Sequence, residues 1–178
     1  MSNIRLVLLG LLCDKPMHGY EIKHIIEDHM DDWTDIKFGS IYFALSKLAE
    51  EQAVEIAEEG REGNRPSRTV YRITEKGRQE YLRLLRELWS SDNRTLYSFD
   101  VGLFFINSLP KEEVAGYLDQ RIFRTDESIR YLDRHSEAMQ GNPHIPAQAR
   151  AIISHTRKHM EAERSWLTEV IGSLDEFY

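Results

Sequence analysis

Residues 37–77 read KFGSIYFALSKLAEEQAVEIAEEGREGNRPSRTVYRITEKG, from Lys37 to Gly77. Three patterns follow one another in this stretch. Ile41, Leu45 and Leu48 recur at i, i+4 and i+7, which predicts a helix from Ile41 to about Glu51, with Ser40 in the N-cap position. Ala53–Glu58 then alternates apolar and polar residues, and Thr69–Thr74 is β-branched and aromatic, so both predict strands. The ten residues between them, Glu59 to Arg68, hold Gly60, Gly63, Asn64 and Pro66. They predict a hairpin with a long polar tip. Thr74 to Gly77 leads into another helix, whose apolar face is Tyr81, Leu82, Leu84, Leu85, Leu88 and Trp89.

Upstream, Ile4–Cys13 reads as a buried helix that Pro16 ends. Tyr20, Ile22, Ile25, Ile26 and Met30 mark a second helix. Residues 1–90 therefore read as three helices, a hairpin and a helix, the order of a winged helix-turn-helix DNA-binding domain. Downstream, Ser90–Asn93 is a short polar hinge. Pro110, Glu112 and Glu113 start a helix that runs to about Met139, and Gly141-Asn142-Pro143 breaks it. A last helix runs from about Pro146 to Ser173. The expected fold is mainly α with a small β-hairpin. The winged domain spans 1–90, and a helical dimerisation and effector domain spans 91–178.

The chain has 178 residues, of which 41% are hydrophobic and 30% charged, as in a globular protein with a real core. No apolar run reaches about 18 residues, so no transmembrane helix is expected. The run before Asp14-Lys15-Pro16 lacks a small-residue cleavage site, so it is not read as a signal peptide. The single cysteine, Cys13, excludes an internal disulfide framework and fits a cytoplasmic location.

The formal net charge is −7, which argues against wholesale affinity for nucleic acid, but the charge is polarised. Residues 61–86 hold eight arginines and lysines against three acids, whereas residues 14–35 hold seven acids and two lysines. Cations placed along phosphates drive DNA binding by releasing counterions, and arginine also enters a narrow minor groove. The hairpin tip thus becomes a candidate wing, with Arg61, Asn64, Arg65 and Arg68 meeting DNA. Arg72, inside the strand, is assigned to the fold. The third helix is the candidate reader, because recognition helices contact bases from their N-terminal residues. Its candidates are Ser40, Tyr42, Ser46 and Lys47, with Tyr20 and Lys23 on the second helix. The competing readings are a solvated arginine loop and a Tyr42 that packs in the core.

Met17-His18-Gly19-Tyr20-Glu21-Ile22, Gly39 to Leu48 and Tyr71 to Gly77 resemble the PadR family of bacterial and archaeal transcriptional regulators over roughly residues 4–90. Phe43 stands where that family usually has proline, and Glu51-Gln52-Ala53 stands where it often has E-x-G. The resemblance implies a homodimeric repressor on a palindromic, double-stranded operator. It further implies that the C-terminal helices make the dimer.

Aromatic residues around the hinge suggest a site for a small aromatic effector. Trp89, Phe99, Phe105, Arg121 and His155 are its candidates, with Arg124 as a further cation for an acidic ligand, against a plain core and dimer interface. His155 and His159 are spaced i, i+4, but no third ligand follows, so no metal or other cofactor is expected. No nucleophile elbow, phosphate loop or dinucleotide fingerprint is present, so an enzyme is not expected. The alternative functions are a winged-helix protein-interaction adaptor and a transcriptional activator without a small-molecule effector.

Overall fold

The computed structural model describes residues 3–31, 33–60, 68–92, 95–140, 142 and 145–178, with backbone alone at 58–60 and 68. The chain divides into two compact units, Met1–Asn93 and Arg94–Tyr178.

The first unit contains α1 (Ile4–Asp14), β1 (Met17–His18), α2 (Gly19–His29), α3 (Phe38–Glu50), β2 (Val54–Gly60), β3 (Arg68–Ile73) and α4 (Glu75–Ser90). Leu8, Leu9, Leu12, Ile22, Ile41, Leu45 and Leu48 are at most 1% exposed and form its centre. Burying each contributes about 1.5–3 kcal/mol. That shared core makes three short helices and a small sheet cooperative.

The sheet is antiparallel with strand order β1-β3-β2. Its first strand has no signature in the sequence. Two residues carry no period, and Met17 and His18 are extended only because they pair with Tyr71 and Val70 of β3. The register across β2 and β3 pairs Glu55 with Arg72, and Arg72 Nη1 lies 3.3 Å from Glu55 Oε1. Arg72 thus pairs within the sheet, in keeping with its assignment to the fold.

Helix α3 begins at Phe38, with Lys37 in the N-cap position, so Ser40 is not the cap that the sequence suggested. Its hydroxyl instead donates to the Lys37 carbonyl at 2.5 Å, inside the first turn. The helix ends in a Schellman motif. The Gln52 N–H donates to the Ala49 carbonyl at 3.0 Å, and the Ala53 N–H to that of Leu48 at 2.8 Å. The motif needs a left-handed residue, and Gln52 adopts φ 61 there without being glycine. Arg5 of α1 then ties the helix end to α4. Its guanidinium sits 2.6 Å from both Glu51 and Glu80. Arg5 holds the Glu51 carboxyl below its usual range, chiefly by that hydrogen bond.

Gly77 sets the approach of α4 to the sheet. A Cβ there would stand 2.0 Å from the Ala53 carbonyl oxygen and 2.8 Å from Ile73 Cγ1. The first turn of α4 is capped by Thr74, whose Oγ1 accepts from the Gly77 N–H at 3.1 Å.

The second unit contains α5 (Phe99–Phe104), a 3₁₀ turn at Ile106–Ser108, α6 (Lys111–Met139), α7 (Ala147–Gly172) and a final 3₁₀ turn at Leu174–Glu176. Leu118, Thr125 and Leu132 of α6 are buried seven residues apart. Ile153 and Leu167 of α7 are buried fourteen apart, and Leu174 follows seven further on. A seven-residue repeat keeps one seam facing its partner helix, as in an antiparallel coiled coil. Ion pairs flank the seam: Arg121 with Glu163 at 2.7 Å, Arg164 with Asp126 at 2.5 Å, and Arg157 with Asp133 at 2.5 Å. Thr125 satisfies its buried hydroxyl by donating to the Arg121 carbonyl at 2.9 Å.

Candidate nucleic-acid interface and effector hollow

Helix α3 buries Ile41, Ala44, Leu45 and Leu48 and turns its other side outward. Tyr42, Phe43, Ser46 and Lys47 are all exposed. Among the described residues, Lys47 makes a single, loose 3.5 Å ion pair, with Glu50 three residues on. An exposed pair of this kind contributes little to stability, so the lysine can exchange its partner for a phosphate.

Tyr42 is not a buried core residue, although its ring has a packing partner. Its ring packs over α2, where a Cβ on Gly19 would come within 2.9 Å of Tyr42 Cε1. The residue is nevertheless 40% exposed. Glycine at position 19 permits that approach. Behind Tyr42, Tyr71 is buried, and burial pushes its phenol pKa up, with the nearby Tyr42 phenol adding to the effect. Phe38 meets Tyr42 edge-on at 5.5 Å, and Lys23 Nζ lies 4.4 Å above the Phe38 ring. Lys23 is also 3.5 Å from Glu27. Tyr20 stacks on His18 at 5.4 Å and remains 47% exposed. Helices α2 and α3 therefore present aromatic, hydroxyl and ammonium groups in one unit. The backbone of α2 is held by a bond from the His18 N–H to the Glu21 carboxylate at 2.7 Å.

Of the wing residues, Arg61, Asn64 and Arg65 lie outside the described residues, and only the backbone of Arg68 is described, at the start of β3. The strands β2 and β3 that carry this tip are in place.

In the second unit, α6 and α7 frame an open hollow of about 700 Å³. Phe99, Trp166 and Met160 supply apolar wall, and Arg121, Arg124 and Thr125 supply polar groups. Phe99 and Trp166 meet edge-on at 5.5 Å, and the Arg121 guanidinium sits 4.6 Å over the Phe99 ring. Arg121 is neutralised by Glu163, whereas Arg124 makes no side-chain pair among the described residues. Of the proposed effector residues, Phe99, Arg121 and Arg124 line this hollow, and Phe105 lines a separate apolar one of about 140 Å³. His155 lies outside both, with its Nε2 3.0 Å from that of His159. Trp89 belongs to α4 in the first unit and is 84% exposed. Among the described residues no cluster of three metal-ligating side chains occurs, and no helix is long and apolar enough to cross a membrane.

Residues 8–83 match the family model of the PadR-like transcriptional regulators. The negative transcriptional regulator PadR of Bacillus subtilis is 20% identical over 182 residues, covering 99% of this chain and 100% of that protein. Its crystal structure in complex with operator DNA is similar at a TM-score of 0.80, with 19% identity and 98% of each chain covered. Its structure with p-coumaric acid gives 0.74 at 18% identity, over 97% of this chain and 98% of that one. The Vibrio cholerae virulence activator AphA gives 0.80 at 18% identity, over 98% and 99%. At these identities the structural likeness speaks for the fold, and it extends through both units. The match to the PadR-like family model thus lies on the winged domain, residues 8–83, and the likeness of fold to PadR-family regulators extends over nearly the whole length of the chain.

Proposed function

We propose that the chain is a cytoplasmic homodimeric regulator that binds a palindromic operator through α3 and the β2–β3 wing and responds to an aromatic acid. The outward face of α3 carries the proposal. Tyr42, Phe43, Ser46 and Lys47 are exposed on the helix that a winged helix-turn-helix lays in the major groove. Ser40 sits in the first turn, where helix N–H groups favour a phosphate. Tyr20 and Lys23 contact the backbone alongside. Arg61, Asn64, Arg65 and Arg68 reach the minor groove or its phosphates. The resemblance to PadR in complex with operator DNA supports this placement.

Dimerisation is supported by the second unit, where Leu96, Val101, Phe104, Phe105 and Phe123 are each at least 60% exposed. Apolar surface of that extent marks an interface. The α6–α7 hollow suits an aromatic carboxylate. Phe99 and Trp166 stack on the ring, and Arg124 pairs with the carboxylate. The relative that binds p-coumaric acid supports this class of ligand. The direction of control is proposed as repression, after the negative regulator of B. subtilis.

Selecting bound fragments from genomic DNA tests the proposal. Lys47→Ala and Arg65→Ala are expected to weaken binding of the selected duplex and to lower its salt slope by about 0.9 for each phosphate left without its cation. Unchanged affinity and slope in both would defeat the reading. They would favour a protein-binding adaptor, consistent with the net charge of −7.

A further inference from the structure

Phe43 lies outside the buried core of its unit. It is 74% exposed, and among the described residues no other ring meets it, unlike Phe38 and Tyr42 beside it. At about 100° per residue, Gly39, Phe43, Ser46 and Glu50 fall on the side of α3 opposite Ile41, Leu45 and Leu48. Phe43 is thus the bulky residue on the outermost stripe of the helix. One turn before it, Gly39 has nothing within 4 Å of where a Cβ would be, and one turn after it stands the small Ser46. A phenyl ring projects from between two low positions.

A phenyl ring neither donates nor accepts a hydrogen bond, so it reads none of the polar code of the major groove. The groove offers one distinctly apolar group, the C5-methyl of thymine, and aromatic side chains pack against it. We propose that Phe43 forms an apolar subsite for a thymine methyl group in each operator half-site. The subsite makes thymine preferred at one position per half-site by packing alone. Ser46 and Lys47, on either side of Phe43, supply hydrogen bonds and charge to neighbouring groups. The proposal rests on the DNA-binding reading above.

Deoxyuridine scanning separates this subsite from every polar contact, because it removes the methyl group and keeps the pairing edge and the O4 acceptor. The duplex selected from genomic DNA is resynthesised with single thymines replaced, and binding to the full chain is followed by fluorescence anisotropy. Burying one methyl-sized group contributes about 0.8 kcal/mol, or about fourfold in affinity. One position per half-site should therefore lose about fourfold on replacement, and about fifteenfold when both half-sites are changed. In Phe43→Ala the same replacements should cost nothing, and in Phe43→Leu, which keeps an apolar contact, the penalty should persist. A flat scan, or the same scan for the native chain and Phe43→Ala, overturns the proposal while leaving DNA binding intact. Failure to select any duplex overturns the DNA-binding reading, and the subsite with it.

Discussion

Replacing Gly77 with alanine sets helix propensity against packing. In an open helix the change gains about 0.5–1 kcal/mol, because glycine loses more backbone freedom on folding. At Gly77 the new Cβ would lie 2.0 Å from the Ala53 carbonyl oxygen, far inside any contact distance, and the obstacle is backbone. The first turn of α4 would have to retreat to make room. That carbonyl also accepts from the Thr74 N–H at 3.1 Å, and the Thr74 hydroxyl, shared between it at 3.1 Å and the Gln52 carbonyl at 2.7 Å, lies beside it, so the retreat stretches these bonds. It further strains the bond from Lys76 Nζ to the Glu51 carbonyl, now 2.7 Å. Overpacking costs about 1–3 kcal/mol, and each weakened hydrogen bond about 0.5–1.5 kcal/mol. The net expectation is a loss of about 2–4 kcal/mol. For a unit of this size that lowers Tm by about 10 °C or more. Thermal unfolding followed by circular dichroism measures it, with Gly39→Ala as the comparison. Gly39 lies in the same unit and has open space around it, so alanine there should be neutral or stabilising by about 0.5 kcal/mol. If Gly77→Ala melts at or above the native temperature, the close approach of α4 to Ala53 is wrong.

Gln52→Gly should stabilise the first unit by about 1 kcal/mol in urea unfolding, because φ 61 strains a residue with a Cβ; a clear loss would contradict the Schellman geometry. Arg5 keeps the Glu51 carboxyl depressed in the folded state. The resulting stabilisation is present above the ordinary carboxylate pKa and disappears as pH falls through the folded value. The difference in urea midpoint between the native chain and Arg5→Met should accordingly be largest near neutrality and shrink below about pH 4.3. A gap that does not change with pH would remove Glu51 from the account. On the proposal of an aromatic-acid effector, with p-coumaric acid as the probe, Arg124→Ala should weaken its binding about tenfold in calorimetry, the scale of one charge-assisted hydrogen bond, and Trp166→Ala should weaken it as well. Equal affinity in both variants would move the ligand out of the α6–α7 hollow.

The order of elements was legible in the sequence because each long element carries its own period. Ile41, Leu45 and Leu48 fix α3 from spacing alone, and the glycines and proline between two β-rich runs fix the hairpin. The seam of α6 and α7 follows from Leu118, Leu132, Ile153 and Leu167, whose burial is a matter of helical repeat. Charge position was legible too, since the cations of 61–86 are contiguous in the chain. Other features depend on partners distant in sequence. Met17 and His18 become a strand only when β3 lies beside them. Ser40 looked like a cap, yet the turn of Lys37 places the start of α3 earlier. Gly77 and Gly19 are required by an Ala53 carbonyl and a Tyr42 ring that arrive from other elements. The hollow beside Arg124 exists because α7 folds back on α6, where Arg121 finds Glu163 and Arg124 makes no ion pair among the described residues. Local periodicity thus determined the elements and their order. The exposed stripe through Phe43, and the residues that face one another across each core, were decided when those elements packed.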